Sequence, residues 1–191
     1  MKNIAVYCGS SAGTDPIYRE QAAMLGTILA EKGIRIIYGG GRVGLMGVLA
    51  GAALEAGGKV TGILPGFLQI KEVAHPGLTE MIPVKSMHER KALIEQRSDG
   101  AIALPGGFGT LDELFEMLTW GQLGLHSKPV ALFNINGFFD PLLLTMEKMV
   151  NEGFLRPDHQ NQLIVSDQIQ LLLEKMVVYE PPSVAKWIGL E

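Results

Sequence analysis

The chain has 191 residues, a mass of 20.7 kDa, and 47% hydrophobic against 19% charged residues. This composition is typical of one folded domain and excludes a disordered chain. The net charge of −4 and the pI near 5.6 disfavour a protein that binds nucleic acid or anionic membranes. No apolar run reaches the roughly 18 residues of a membrane span, and the single cysteine, Cys8, excludes a disulfide within the chain. We therefore expect a cytoplasmic protein.

Short apolar runs typical of buried strands alternate with helical patterns along the chain. Strands are predicted at 3–8, 34–38, 59–64, 81–84, 101–104, 129–133 and 164–165, and helices at 16–32, 45–56, 87–97, 111–123, 140–150 and 166–178. Asp15, Ser86 and Asp140 are predicted to cap three of the helices. Residues 66–80 are predicted to form a loop with no more than one helical turn, and the tail is expected to pack through Trp187.

The alternation of strands and helices predicts a Rossmann-like, doubly wound α/β fold, with a mostly parallel sheet and helices on both faces. Short loops and the absence of a linker indicate a single domain over residues 1–191, with a core to about residue 180 and a tail at 181–191. In such folds, ligands bind beyond the carboxyl ends of the strands.

Three glycine-rich segments, at 9–11, 39–44 and 106–109, each follow a predicted strand directly. They should therefore lie at one edge of the sheet and contact a nucleotide-sized ligand, for which Gly9, Ser10, Gly40 and Gly41 are candidates. The second segment contains G-x-G-x-x-G, but it lacks the acidic residue that binds a dinucleotide's ribose about 20 residues later. A purely structural turn remains the alternative for this segment.

The third segment, PGGFGTLDE at 105–113, leads into a helix start that suits a bound anion. An alternative is that Thr110 and Glu113 only form a capping box. Three carboxylates, Asp112, Glu113 and Glu116, crowd this helix start, so a cation is expected beside them. Arg90 and Lys91 are the candidates, while Arg97 is expected on a solvated helix face.

Nucleophilic and metal chemistry have little support in the sequence. Cys8 has no histidine placed to act as its base and is expected to be a buried, small apolar residue. The four histidines show no spacing typical of metal ligands, so neither a metal nor another cofactor is expected.

Five segments together resemble the "lonely guy" family, the cytokinin-activating nucleoside 5′-monophosphate phosphoribohydrolases. They are CGSS at 8–11, YGGGRVGLMG at 38–47, MHERKA at 87–92, PGGFGTLDE at 105–113 and LTWGQLGLHSKPV at 118–130. The resemblance follows the family's order and extends to about residue 180. It is far more specific than any one of the glycine loops.

The resemblance implies a homodimer that hydrolyses the N-glycosidic bond of adenosine-type 5′-monophosphates to a free base and ribose 5-phosphate. By the matching motifs it implies that Arg90 and Glu113 are catalytic. It also implies substrate-binding positions at Glu72, Lys91, Gly107, Phe108, Gly109, Thr110 and Thr119. Members are often labelled lysine decarboxylases, but no pyridoxal-binding lysine can be argued from this sequence.

Two other functions remain open on the sequence. A non-catalytic carrier, such as the structurally similar molybdenum-cofactor carriers, would use the same anion-binding helix start at 105–113 and would not need Glu113. A nucleotide sensor would bind its ligand tightly without turnover. A hydrolysis assay separates both from an enzyme.

Overall fold

A computed structural model describes residues 1–69 and 74–182 of the chain. Its strands are β1 (Asn3–Tyr7), β2 (Arg35–Tyr38), β3 (Val60–Pro65), β4 (Glu80–Val84), β5 (Gly100–Ala103), β6 (Val130–Phe133) and β7 (Leu163–Ser166). Its helices are α1 (Pro16–Glu31), α2 (Gly44–Glu55), α3 (Gly66–Gln69), α4 (Met87–Arg97), α5 (Phe108–Gln122), α6 (Asp140–Asn151), α7 (Pro157–Gln160) and α8 (Ile169–Val177), with a 3₁₀ turn at Ile135–Gly137.

The seven strands form one sheet in the order β4-β3-β2-β1-β5-β6-β7, and each neighbouring pair is parallel. Alternate residues of β1 enter opposite cores: Ile4 and Val6 pack with α1, α2 and α8, whereas Ala5 and Tyr7 pack with α4, α5 and α6. Such alternation is expected of a strand covered on both faces. The predicted α/β Rossmann-like fold is therefore confirmed.

The strand order reverses at β1, which has β2 on one side and β5 on the other. At this point Gly9 N donates a hydrogen bond to Pro105 O at 3.0 Å, and Leu45 N donates one to Gly9 O at 3.0 Å. A Cβ at Gly106 would lie 2.9 Å from Gly9 N, so the close approach of the two backbones requires glycine there. The prediction that the glycine segments meet at one sheet edge is confirmed.

Several predicted helix ends are also confirmed. The Asp15 side chain caps α1 by accepting from Ile17 N at 3.0 Å. Ser86 Oγ caps α4 by accepting from Glu89 N at 3.1 Å, and the Glu89 carboxylate accepts from Lys85 N at 2.7 Å. Residues 66–69 form the single helical turn allowed within the predicted loop.

Three helix starts were predicted wrongly. Helix α5 begins at Phe108 rather than at Leu111. Asp140 is not the cap of α6: it is the first helical residue after Phe139, and its Oδ1 accepts from Asn134 Nδ2 at 2.7 Å. The last helix begins at Ile169 rather than at Ser166, because Ser166 still belongs to β7 and pairs with Phe133. The short helix α7 was not anticipated. The predicted contact of Trp187 lies outside the described residues.

No helix within residues 1–69 and 74–182 is long and apolar enough to cross a membrane.

Helices α1 and α2 pack closely through a glycine, which gives a stability prediction. A Cβ at Gly26 would overlap Leu49 O and lie 3.2 Å from Ala53 N, both backbone atoms of α2. We expect Gly26→Ala to lower the free energy of unfolding by about 1–3 kcal/mol in urea denaturation, because the helices must separate.

The matched control is Gly51→Ala in α2, where a Cβ would meet nothing within 4 Å. This variant should keep or raise the free energy of unfolding, by up to about 1 kcal/mol, since alanine favours helix. Equal stability of both variants would contradict the proposed packing.

Candidate active site

The glycine loop after β5 enters α5 earlier than a Thr110 cap would require. Gly107 is the N-cap residue, with φ −96° and ψ −153°, and no side chain of the described residues caps this helix. Thr110 is already the third helical residue and is buried, with its side chain against Gly106. The alternative in which Thr110 and Glu113 only form a capping box is therefore wrong.

The start of α5 is open toward solvent. A Cβ at Gly107 or Gly109 would meet nothing within 4 Å, and Phe108 is 94% exposed. The first N–H groups of a helix have no partner within the helix, and the helix dipole places partial positive charge there. A cavity of about 270 Å³ lies beside the loop; its lining includes Gly9, Ser10 and Gly107. The arrangement suits an anion at the loop.

Arg90 and Glu113 form an ion pair at the same edge of the sheet. Arg90 lies one turn into α4 and Glu113 in the second turn of α5, with 3.8 Å between Nη2 and Oε1. Their side chains are only 12% and 13% exposed. Arg90 Nε also donates to Ile63 O at the end of β3, at 3.1 Å. The two residues implied to be catalytic are therefore brought together.

The Glu113 carboxyl has an unusual protonation equilibrium. Burial raises its pKa from 4.5 to about 7, against the lowering effects of the Arg90 and Lys91 cations. The neighbouring carboxylates Asp112 and Glu116 act in the same direction as burial. A carboxyl with this pKa exchanges protons near neutrality, which suits acid–base chemistry.

Lys91 is the second cation of the site and contacts the other two carboxylates. Its Nζ lies 3.2 Å from Asp112 Oδ2 and 3.1 Å from Glu116 Oε1. Burial alone would lower the pKa of Lys91, but these hydrogen bonds raise it above the ordinary value. Arg97 instead pairs with Glu80 at 3.8 Å and is 47% exposed. Its predicted place on a solvated face is confirmed.

Other candidate residues have different surroundings. Gly40 O accepts from His75 N at 2.9 Å, Gly41 O accepts from the Tyr38 hydroxyl at 3.1 Å, and a Cβ at Gly40 would meet Met81, so these glycines pack against the protein. Glu72 lies outside the described residues.

Thr119 is exposed and follows Glu113 by six residues in α5. This spacing separates the two residues by roughly 9 Å along the helix axis and by about 120° around that axis. It lines an apolar groove of about 200 Å³ together with Phe115, Leu118, Met146 and Leu155, among others. Neither Arg90 nor Glu113 lines this groove. Thr119 and the ion pair therefore line different parts of this chain's surface.

The charge of Glu113 also acts on two residues at the carboxyl end of β1, Tyr7 and Cys8. Cys8 is buried and its thiol pKa is raised by burial and by the Glu113 charge, so it does not act as a thiolate nucleophile. Burial and the same charge also raise the pKa of Tyr7, a neighbour that the sequence did not single out. Among the described residues, no cluster of three or more His, Cys, Asp or Glu side chains suits a metal ion.

The chain was compared with known proteins. A family model described as "Possible lysine decarboxylase" matches residues 46–176. The chain is 47% identical over 170 residues to a cytokinin riboside 5′-monophosphate phosphoribohydrolase of Rhodococcoides fascians, covering 88% of this chain and 86% of that protein. It is 43% identical over 180 residues to an Arabidopsis thaliana protein of the same name, covering 94% and 83%. The chain belongs to this family of phosphoribohydrolases.

Solved structures show the same fold. The molybdenum cofactor binding protein of Rippkaea orientalis aligns with a TM-score of 0.70 and 25% identity, covering 94% of this chain and 99% of that one. A molybdenum cofactor carrier protein of Chlamydomonas reinhardtii aligns with a TM-score of 0.69 and 22% identity, covering 93% and 98%. The latter likeness shows the fold alone. Identity to the phosphoribohydrolases is nearly twice as high over a similar span.

The raised pKa of Glu113 predicts how a phosphoribohydrolase with this site responds to pH. If the carboxylate is the active form, kcat/KM should rise with pH through about 7, because the proton that burial favours must first leave. Arg90→Ala should move the midpoint to higher pH, since the Arg90 cation lowers the pKa of Glu113. Initial rates between pH 5 and 9 measure both effects.

Glu113→Gln is the control for this profile. It should remove the rise near neutrality and lower kcat by about a hundredfold or more, because the charge at the reacting centre is lost. An unchanged profile in Glu113→Gln would assign the titration to another group.

Proposed function

We propose that this protein hydrolyses the N-glycosidic bond of adenosine-type nucleoside 5′-monophosphates, AMP or a cytokinin riboside 5′-monophosphate. The products are the free base and ribose 5-phosphate. The observation that carries the proposal is the buried Glu113, held 3.8 Å from Arg90 at the same sheet edge as a glycine-rich helix start with no side-chain cap at Gly107. The proposal also agrees with the names of relatives 42–47% identical to this chain.

Glu113 supplies the negative charge that the reaction needs. When the bond from C1′ to the base nitrogen breaks, its electron pair leaves with the base and positive charge develops on the ribosyl centre. A carboxylate beside that centre stabilises the charge and accepts a proton from the water that attacks C1′. The departing base takes up a proton from solvent, and Glu113 then returns the proton of the attacking water to solvent, so that one water is consumed in total. Arg90 cannot act as the base because its guanidinium stays charged; it orients Glu113.

The glycine loop binds the 5′-phosphate in this proposal. Backbone N–H groups at Gly107, Phe108, Gly109 and Thr110 belong to the start of α5, where the positive end of the helix dipole favours a dianion. The cavity lined by Gly9 and Ser10 adjoins the same loop. Binding of the remote phosphate then fixes the position of the ribose relative to Glu113.

Lysine decarboxylation, which the description of the family model suggests, does not fit the site. That chemistry uses a lysine amine that forms an imine with pyridoxal phosphate, and such an amine must lose its proton readily. Lys91, the lysine beside Glu113, contacts two carboxylates and has a raised pKa. It is therefore a charge partner for Asp112 and Glu116.

Discrimination between nucleotide and nucleoside tests the function and the placement of the phosphate together. We expect kcat/KM for AMP to exceed that for adenosine by at least about a hundredfold, because charge-assisted contacts contribute about 1.5–3 kcal/mol each and about 1.4 kcal/mol is tenfold in rate. Chromatography of adenine and ribose 5-phosphate from AMP, an N6-isopentenyl analogue, GMP and CMP measures the products.

Two outcomes would contradict this prediction in different ways. Similar kcat/KM values for AMP and adenosine would show that the glycine loop does not bind the phosphate. Tight binding of AMP without product would instead favour a carrier or sensor, since a carrier does not need the Glu113 charge.

We also propose that the protein is a homodimer in which each subunit contributes to its neighbour's site. The groove along α5 is apolar, with Phe115, Leu118 and Met149 in its lining, and it carries the exposed Thr119. Thr119 lies away from Glu113 of the same chain. If a second copy packs on this groove, Thr119 can contact the substrate bound at Glu113 of that second copy, which agrees with its expected substrate-binding role.

Mixed subunits test this arrangement. Thr119→Glu should lower activity because its charge repels a phosphorylated substrate, and Glu113→Gln lacks the catalytic charge. Heterodimers of the two variants contain one intact site, formed by Glu113 of one subunit and Thr119 of its partner. We expect co-expressed, purified heterodimers to recover about half of the wild-type rate, with light scattering as the check on mass.

Two results would refute the shared site. One is a monomer at micromolar concentration in light scattering. The other is a heterodimer as inactive as its parents, which would show that Thr119 and Glu113 act together within one subunit.

A further inference from the structure

Arg90 is held by several contacts besides its ion pair with Glu113. Its Nε donates to Ile63 O at 3.1 Å, and its Nη1 lies 3.8 Å from Met87 Sδ. The third nitrogen, Nη2, is the one that lies 3.8 Å from Glu113 Oε1. Each of the three guanidinium nitrogens therefore has a partner within 3.8 Å.

Gly39 borders this guanidinium from the end of β2. It follows Tyr38, the last residue of β2, and it is buried. A Cβ built on Gly39 would overlap Nη2 of Arg90 and lie 2.9 Å from Cζ and 3.4 Å from Nε. The space that a side chain would take at position 39 is thus occupied by the cation of the site.

The backbone itself does not demand glycine at position 39. Gly40 and Gly44 in the same segment have φ values of 76° and 61°, which L residues with a side chain rarely adopt, whereas Gly39 is not among the residues with positive φ. Gly39 differs from these neighbours because the three described atoms nearest to the place of its Cβ all belong to the Arg90 side chain.

We propose that Gly39 is a positioning residue for the hydrolysis: its missing side chain sets where the Arg90 guanidinium lies and so where the Glu113 carboxylate is held. The inference rests on the proposed function of the Arg90–Glu113 pair and deepens it. Gly39 touches no reacting atom in this account and acts through Arg90.

Adding one methyl group at this position separates stability from catalysis. The atoms it would meet belong to the end of a long, flexible side chain, so Arg90 can move aside with little change in the fold. Once moved, however, Nη2 no longer lies beside Glu113. Misplacement of a catalytic group by about 1 Å can cost a hundredfold in rate.

The kinetic experiment compares Gly39→Ala with Gly66→Ala. Gly66 follows β3, and a Cβ there would meet nothing within 4 Å. We expect Gly39→Ala to lower kcat for AMP by about tenfold to a hundredfold, with a melting temperature close to wild type. Gly66→Ala should keep both values.

An Arg90→Lys background shows whether Gly39 acts through the guanidinium. Lysine has no atom equivalent to Nη2, so the added methyl group has less to displace. Gly39→Ala should therefore lower kcat by less than about threefold in that background. An equal loss in both backgrounds would overturn the proposal, because the effect would then not pass through Arg90.

Titration of Glu113 in the free protein gives a readout that needs no substrate. Carboxyl ¹³C NMR should show a higher pKa in Gly39→Ala than in wild type, since the cation that lowers it has moved, and no change in Gly66→Ala. The other charged groups acting on this carboxyl stay in place: Lys91, Asp112 and Glu116.

The kinetic assay and the titration test the proposed function and the role of Gly39 separately. If wild type releases no base from any nucleotide, the proposed function fails, while the titration still tests the positioning by Gly39. If the titration of Glu113 is the same in Gly39→Ala and wild type, the positioning role is wrong whatever the substrate.

Discussion

Keeping the Glu113 carboxylate ionised costs free energy, because its side chain is only 13% exposed and burial favours the neutral form. Arg90 offsets part of that cost at 3.8 Å, because its cation lowers the pKa that burial raises to about 7. Lys91 takes up the charge of Asp112 and Glu116, so Arg90 remains available to Glu113. Arg90 thus pairs with Glu113, whereas Lys91 pairs with the other two carboxylates. The proposed chemistry depends on this pairing, because it keeps a cation beside Glu113.

Most of the fold and the centre of the site follow from local sequence signals. Continuous apolar runs predict the strands, and glycine segments directly after them predict a shared edge, which the hydrogen bond from Gly9 to Pro105 confirms. The motif match to the phosphoribohydrolases predicts the pair Arg90 and Glu113, which lie on different helices. Their meeting depends on the sheet that places α4 beside α5.

The remaining features depend on tertiary contacts that no local pattern contains. The Thr110 side chain packs on Gly106 inside the first turn of α5, although T-x-x-E is also typical of a capping box. Thr119 lies about 120° around α5 from Glu113, as their spacing predicts, but the groove that it lines exists only because α6 packs beside α5. The closeness of Gly39 to Arg90 joins the residue that follows β2 to a residue on α4, and it is visible only in three dimensions.

The central place of β1 has a consequence for how the chain folds during synthesis. Ile4 pairs with Gly100, and the Asp99 carboxylate accepts hydrogen bonds from Lys2 N at 2.6 Å and Asn3 N at 2.9 Å. At about 5–20 residues per second, a ribosome needs several seconds to deliver β5 after β1. Throughout that interval the edge of β1 that later pairs with β5 is unpaired, and it can pair with other nascent chains. Glu113 follows β5 along the chain, so its ion pair with Arg90 can form only after this neighbour of β1 has been delivered.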